Sequence, residues 1–378
     1  MLLLCVQFCF GLSYSSFFLL PKFLLREFHA SADAIGAVAA TALIAGVIAT
    51  PWTGAWLDRG SRRPFISYGA LVNALSGGAF ALIHSISWPI FALRAVHGVS
   101  YVLVFNATVT LATDLAPAKK LGQAIGLCGA AGMVANAIAP ALAELIAEDQ
   151  GWSLVFVLAG GAALLAALLS FGIREPRPTP PSAPVSQVEA GPSALALVRE
   201  PFRVGAFVCG AANGAAFGVM FTFTQPFALS LGANRVSSFF IGYTLCALSV
   251  RLFLGTLADT LGRRRVAFVA LTLYGLVAAF SSLLRPDLLF VVGACLGLAH
   301  GLLYPAINAL AVEGVPRARR GAVMSYFFGC FNTGFALWVL GLGVVAKSYG
   351  YPVVFLATGL LVWCSIAFLP KKPQGYLA

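Results

Sequence analysis

A pattern of glycine, acid and paired arginines, Gly54-Ala55-Trp56-Leu57-Asp58-Arg59-Gly60-Ser61-Arg62-Arg63, returns in the second half of the chain. There it reads Gly255-Thr256-Leu257-Ala258-Asp259-Thr260-Leu261-Gly262-Arg263-Arg264. Both copies lie between long apolar stretches. A charged turn repeated in the same place between apolar segments means a chain of two duplicated halves, each able to supply one wall of a central pathway.

The surroundings of the repeat decide its solvent. Only 10% of the residues are charged, against about 25% in a soluble domain. Such a chain cannot hide its apolar surface in one aqueous core, so the bilayer is its solvent. About 20 apolar residues cross the hydrocarbon at a rise of about 1.5 Å each. Spans of that kind are expected at 3–25, 35–57, 65–83, 88–111, 121–146, 152–173, 204–230, 237–258, 266–284, 288–312, 322–346 and 352–369. The expected fold is therefore an all-α membrane protein with twelve transmembrane helices in two pseudo-symmetric six-helix bundles. The bundles are expected over 1–173 and 204–378. Residues 174–203, rich in proline, serine and charge, read as a cytoplasmic linker without a core of its own. Its end, residues 194–202, is expected to form a short surface helix. Residues 2–20 have neither a basic n-region nor an A-x-A site, so they read as a retained first span rather than a signal peptide. That span starts without a polar lead, which leaves open whether Met1 is the true start.

The net charge of +11 raises the question of nucleic acid. The positive residues fall in short clusters between spans, so they read as topology signals and no nucleic-acid partner is expected. Arg59, Arg62, Arg63, Lys119, Lys120, Arg174, Arg199, Arg263, Arg264, Arg265, Arg319 and Arg320 lie on one side, with the linker and tail. Lys22, Arg26, Arg235, Arg285 and Lys347 lie on the other. The positive-inside bias then puts both termini in the cytoplasm. All eight cysteines fall in apolar segments, so neither a disulfide framework nor a metal site is expected. No cofactor is expected either. The G-x-x-x-x-G-K-[ST] loop is absent from the sequence, which argues against direct ATP drive by this chain.

The halves match beyond the first motif. His97-Gly98-Val99-Ser100-Tyr101 with Asn106-Ala107 mirrors His300-Gly301-Leu302-Leu303-Tyr304 with Asn308-Ala309. Leu111-Ala112-Thr113-Asp114-Leu115-Ala116-Pro117 mirrors Leu310-Ala311-Val312-Glu313-Gly314-Val315-Pro316. The Gly-x-x-x-Asp-x-x-x-Arg-Arg loop in both halves, the twelve spans and Arg94-Ala95-Val96-His97-Gly98 in span four give a pattern that resembles the major facilitator superfamily over essentially the whole chain. In particular it resembles bacterial efflux-type members. The Gly-Pro pair that drug/proton antiporters of that family carry in span five is replaced here by Ala139-Pro140.

Within this frame two groups of residues carry chemistry. The first is a conformational latch: Gly54, Asp58, Arg62, Arg63 and Asp114 in one half, and Gly255, Asp259, Arg263, Arg264 and Glu313 in the other. A carboxylate at a helix end can cap a neighbouring helix and pair with the arginines, and a glycine lets another helix approach. The competing reading is solvated loop charge that sets topology alone.

The second group faces a pathway. A guanidinium inside the membrane is costly and needs a cavity or a partner. Arg94, His97, Gly98 and Tyr101 share one helix face, and His300, Tyr304 and Asn308 form its counterpart. The histidines read either as cavity walls or as satisfied packing residues. Arg251 either snorkels to the cytoplasmic surface or faces the pathway. Glu144, in the outer part of span five, could reach Arg94; if it does not, the cavity carries unpaired positive charge and an anionic substrate follows. Asn136, Asn213, Gln225 and Asn332, with Tyr14, are further lining candidates, with hydrogen bonding between helices as the alternative. Phe217, Phe221, Phe223 and Phe227 could face an apolar ligand, with facing lipid as the favoured reading.

The reading is a non-enzymatic, secondary-active transporter of a small organic solute working by alternating access in the bacterial inner membrane. It is expected to act as a proton-coupled antiporter in efflux, as a monomer whose partners are the small-molecule substrate, a proton or other coupling ion, and the lipid bilayer. A symporting importer of the same fold is the alternative. A non-transporting sensor would need an output domain, and a channel would need a continuous polar stripe.

Overall fold

In a computed structural model, residues 1–57, 61–115, 121–173, 175, 194–254 and 257–370 are described. Among them the regular structure is entirely helical. The first six spans are α1 (Leu2–Ser16) with α2 (Leu20–Phe28), α3 (Ala32–Leu57), α4 (Arg63–Ala79), α5 (Trp88–Leu115), α6 (Leu121–Gln150) and α7 (Trp152–Phe171). A short helix, α8 (Ala194–Val198), precedes the second six. These are α9 (Pro201–Ser230), α10 (Ser237–Phe253) with the one-turn α11 (Leu257–Leu261), α12 (Arg263–Phe280), α13 (Leu289–Ala311), α14 (Arg317–Tyr349) and α15 (Tyr351–Ile366). Ten of the spans are long and apolar enough to cross a membrane, and α10 and α15 are shorter apolar helices.

The first span is interrupted where its sequence requires it. Pro21 has no N–H to return to the Phe17 carbonyl, and the chain passes through a 3₁₀ turn over Phe17–Leu19 before resuming as α2. The sharp turns at Gly151 and Gly350, both with positive φ, each join two long spans with almost no loop.

Lipid tails are as apolar as the side chains, so the helices associate by close packing rather than by hydrophobic burial. Gly98 shows the requirement. A Cβ placed there would lie 1.7 Å from the Ala42 carbonyl oxygen, so α3 and α5 touch backbone to backbone. Helices α4 and α5 pack with α3 and α7 in the first half, and α10, α12 and α13 with α9, α14 and α15 in the second. The core of the first half has one cluster around Phe10, Ile66 and Leu111 and another around Phe17, Phe80 and Phe156. The second half has a larger core that reaches across to Leu19, Ala32, Met133 and Ala143 of the first.

The two six-helix units meet through α3 with α14, α6 with α10, and α2 with α9. They touch backbone to backbone at the end remote from residues 1 and 370. There a Cβ on Gly36 of α3 would lie 2.7 Å from the Val339 carbonyl oxygen of α14. We call this the far end, and the end that carries residue 1, residue 175, the beginning of α9 and residue 370 the linker end.

Candidate functional site

Between the units lies a cavity of about 370 Å³, within the size range of small-ligand sites. The first half contributes Tyr14, Arg94, Tyr101 and Asn136, and the second Arg251, His300, Tyr304 and Asn332. Several polar groups expected on the pathway are thus brought to one space from different helices.

Arg94 is 8% exposed. Its Nε donates to the Val38 carbonyl at 3.4 Å, and its Nη1 has no partner among the described residues. Glu144 does not reach it. That carboxylate is turned to the far end, where Lys22 Nζ sits 2.5 Å from Oε1. Arg251 also lines the cavity, with Nε unpartnered among the described residues. Its side chain is thus directed into the cavity between the units. Among the described residues neither arginine has a carboxylate within salt-bridge distance.

The histidines part company. His300 lines the cavity, with Tyr304 stacked on it at 5.3 Å and Phe217 at 4.9 Å. His97 does not line it; the ring is fully buried against Phe17 at 4.1 Å, Tyr14 and Phe80. The helical repeat puts the two histidines at equivalent positions, but α1 covers that position in the first half. Asn136 accepts from Ser15 Oγ at 2.6 Å and stays at the cavity wall. Asn213 is buried in α9 away from the cavity, and Asn308 lies outside the lining, beside Tyr304. Gln225 is also outside the lining and ties the halves together: its Nε2 donates at 2.7 Å to the Phe18 carbonyl across the interface and to Phe221 within α9.

The phenylalanines of α9 correct the lipid-facing reading. Phe217 and Phe221 line the cavity, and Phe221, Phe223 and Phe227 are all buried rather than turned to lipid. Helix α9 is enclosed by α2, α13, α14 and α15, so it has little lipid-facing surface. An almost uniformly apolar helix gives no sequence signal of this.

The far end is closed by charge that sequence reasoning missed. Glu144 is 1% exposed. Its two oxygens accept the backbone amides of Val236 and Ser237, each at 2.8 Å, at the start of α10. Lys22 donates to the Asn234 carbonyl at 3.1 Å. Glu148 pairs with Arg235 at 2.8 Å, and Lys347 with Asp33 at 2.9 Å. All these links join the first half to the second. The signal available was position: Lys22 and Glu144 both lie near far ends of their spans, where opposite charges in an apolar setting seek each other.

At the linker end, Arg62 Nε lies 3.3 Å from Asp114, and Arg263 lies 3.6 Å from Glu313, a matched pair in the two halves. Arg63 stacks over the Phe171 ring, and exposed Arg264 lies beside Arg263 and Glu313. Glu175, unremarked in the sequence, accepts the amides of Arg62 at 2.6 Å and Arg63 at 3.2 Å, and the Ser61 hydroxyl. Partial burial opposes ionisation of its carboxyl, but these donors prevail and hold it below the usual carboxylate value. Asp58 and Gly255 lie outside the described residues. Gly54 and Asp259 lie within helices α3 and α11, and their surroundings are likewise outside the description.

The sequence matches the Major Facilitator Superfamily over residues 3–250 and again over 206–376. It is 27% identical over 349 residues to the multi-drug resistance efflux pump PmrA of Streptococcus pneumoniae serotype 4, covering 88% of this chain and 84% of that one. It is 26% identical to the multidrug resistance protein MdtG of Serratia proteamaculans, covering 89% and 84%. In structure it is similar to a bacterial homologue of the human lysosomal transporter Spinster in an inward-facing, unoccupied conformation. That match has a TM-score of 0.80 at 18% identity and covers 97% of this chain and 95% of that one. The nucleoside transporter NupG matches with a TM-score of 0.73 at 16% identity, covering 98% and 99%. The chain belongs to the Major Facilitator Superfamily and is a multi-pass membrane transporter, not an enzyme.

Proposed function

We propose that this superfamily member exports small organic anions from the cytoplasm in exchange for protons. The observation that carries the reading is the pair Arg94 and Arg251, both on the cavity and both without a carboxylate partner among the described residues. A buried guanidinium is expensive inside a membrane. A ligand carboxylate or phosphate, bound in the fork geometry that arginine favours, supplies the missing partner. The efflux names of the relatives support the direction of transport.

The linker end is cytoplasmic on the positive-inside bias, and the membrane is the bacterial plasma membrane. The cavity then opens to the cytoplasm while the charged far-end seam is shut. A substrate gains access to the other side when the units rock, breaking that seam and drawing the linker-end networks together. Asp58, Asp114 and the arginines beside them, with their counterparts in the second half, bias which side is open. A single chain suffices, because each half supplies the partner of the other.

The test is reconstitution in vesicles with an imposed pH gradient and a panel of organic acids and their amides. Acid flux that rises with the gradient is expected. Flux that ignores the gradient would remove proton coupling, and amides carried as well as acids would remove the anion.

A further inference from the structure

Resting on that reading, we infer that the preferred substrates are aromatic organic acids, held with the acid group on Arg94 and the ring between two aromatic walls. On one side Tyr14 and Tyr101 stack at a ring separation of 4.1 Å, and both line the cavity. On the other Phe217 and Phe221 stack at 4.1 Å, His300 lies against Phe217, and Tyr304 stacks on His300. The walls belong to different halves, so a ring between them touches both units at once.

The arginines are offset along the pathway. Arg94 lies six residues into α5 and Arg251 fourteen residues into α10, both counted from the far end. At about 1.5 Å per residue Arg251 sits roughly 12 Å nearer the linker end. Tyr101 lies thirteen residues into α5, and His300 and Tyr304 eleven and fifteen into α13, all nearer the linker end than Arg94 and close to the level of Arg251. By the same count the aromatic walls begin at about the level of Arg251 and run toward Arg94, which is more than nine-tenths buried and has an unpartnered nitrogen. An anion is drawn to the two arginines, its ring lies between the two walls, and its acid group reaches Arg94. The rings within each stack cover one another's faces, so a bound ring meets their edges, a contact that a flat aromatic face makes better than a puckered saturated ring of equal size. A cation would meet the same walls with two arginines against it.

Binding to the purified protein in nanodiscs, read by calorimetry, separates the parts with four probes. These are 2-naphthoate, its neutral amide 2-naphthamide, the saturated acid decalin-2-carboxylate, and the cation 2-naphthylmethylammonium. The expected result is 2-naphthoate tighter than each of the others by roughly tenfold or more. Phe217→Leu should lower 2-naphthoate affinity toward that of the saturated acid, while decalin-2-carboxylate is little changed. Equal affinity for the two acids, both above the amide, would overturn the aromatic sleeve and leave the anion reading standing. Amide or cation binding as tightly as 2-naphthoate would overturn both. No binding of any probe up to about 1 mM would overturn the inference.

Discussion

The Glu144 carboxylate lies 2.5 Å from the Lys22 ammonium and accepts both the Val236 and Ser237 amides at 2.8 Å. One acid of the first half thus pairs with a lysine of its own unit and caps the first turn of α10 in the other. Without Glu144, Lys22 keeps Glu148 at 3.6 Å and the Asn234 carbonyl, so the loss is smaller than the cost of about 3–5 kcal/mol for a fully stranded buried charge. The Val236 and Ser237 amides lose their acceptor only while the far end is shut, so the cost falls on the closed state.

Glu144→Gln is therefore expected to shift the protein toward a far-end-open state without unfolding it. Spin labels at Ser85→Cys and Leu283→Cys, both on exposed far-end positions in different halves, would report it after the native cysteines are replaced. A longer label separation in Glu144→Gln than in the parent is the expected result. An unchanged distance distribution would deny the pair its gating role.

Two glycines should fail in different ways. Gly98→Val drives a side chain into the Ala42 carbonyl within one half, in every conformation. It is expected to lower thermal stability by about 1–3 kcal/mol or more. Gly36→Val meets Val339 across the interface between halves. It should leave melting nearly unchanged and widen the same far-end distance. Comparable loss of stability in both variants would argue against a separable interface.

Glu175 yields a pH prediction. Its folded pKa is below the usual carboxylate value, so its contribution is present above that value and is lost as pH falls through the lowered one. At neutral pH, Glu175→Gln is expected to speed hydrogen exchange at the Arg62 and Arg63 amides by about tenfold. Exchange in the parent, corrected for its intrinsic pH dependence, should approach that of the variant only in acid. Equal protection of the two proteins at neutral pH would show that the carboxylate does not hold this turn.

The spans were legible because length and apolarity alone set them. Spans expected at 121–146 and 322–346 are longer as helices, Leu121–Gln150 and Arg317–Tyr349. Their polar ends keep making backbone bonds beyond the hydrocarbon, which a hydropathy reading does not register. The interruption of the first span at Phe17–Leu19 followed from Pro21, although the sequence reading ran straight through it. Orientation about the helix axis was far less legible. Phe217 and Phe223 lie in one apolar helix, yet Phe217 lines the cavity and Phe223 is packed away from it, because the neighbours of α9 and not its own pattern decide. Glu144 illustrates the same limit: its choice of Lys22 over Arg94 depends on how α2 and α6 meet the start of α10.

The central claim, a crevice that recognises anions through Arg94, is tested most directly by counterflow in proteoliposomes without any ion gradient. Labelled acids and their neutral amides are compared in the parent and in Arg94→Ala. Loss of about 1.5–3 kcal/mol of charge-assisted hydrogen bonding would reduce acid exchange roughly tenfold or more at subsaturating concentration. Any exchange of the amides should be nearly unaffected. Equal loss for acids and amides, or no loss for the acids, would contradict the account.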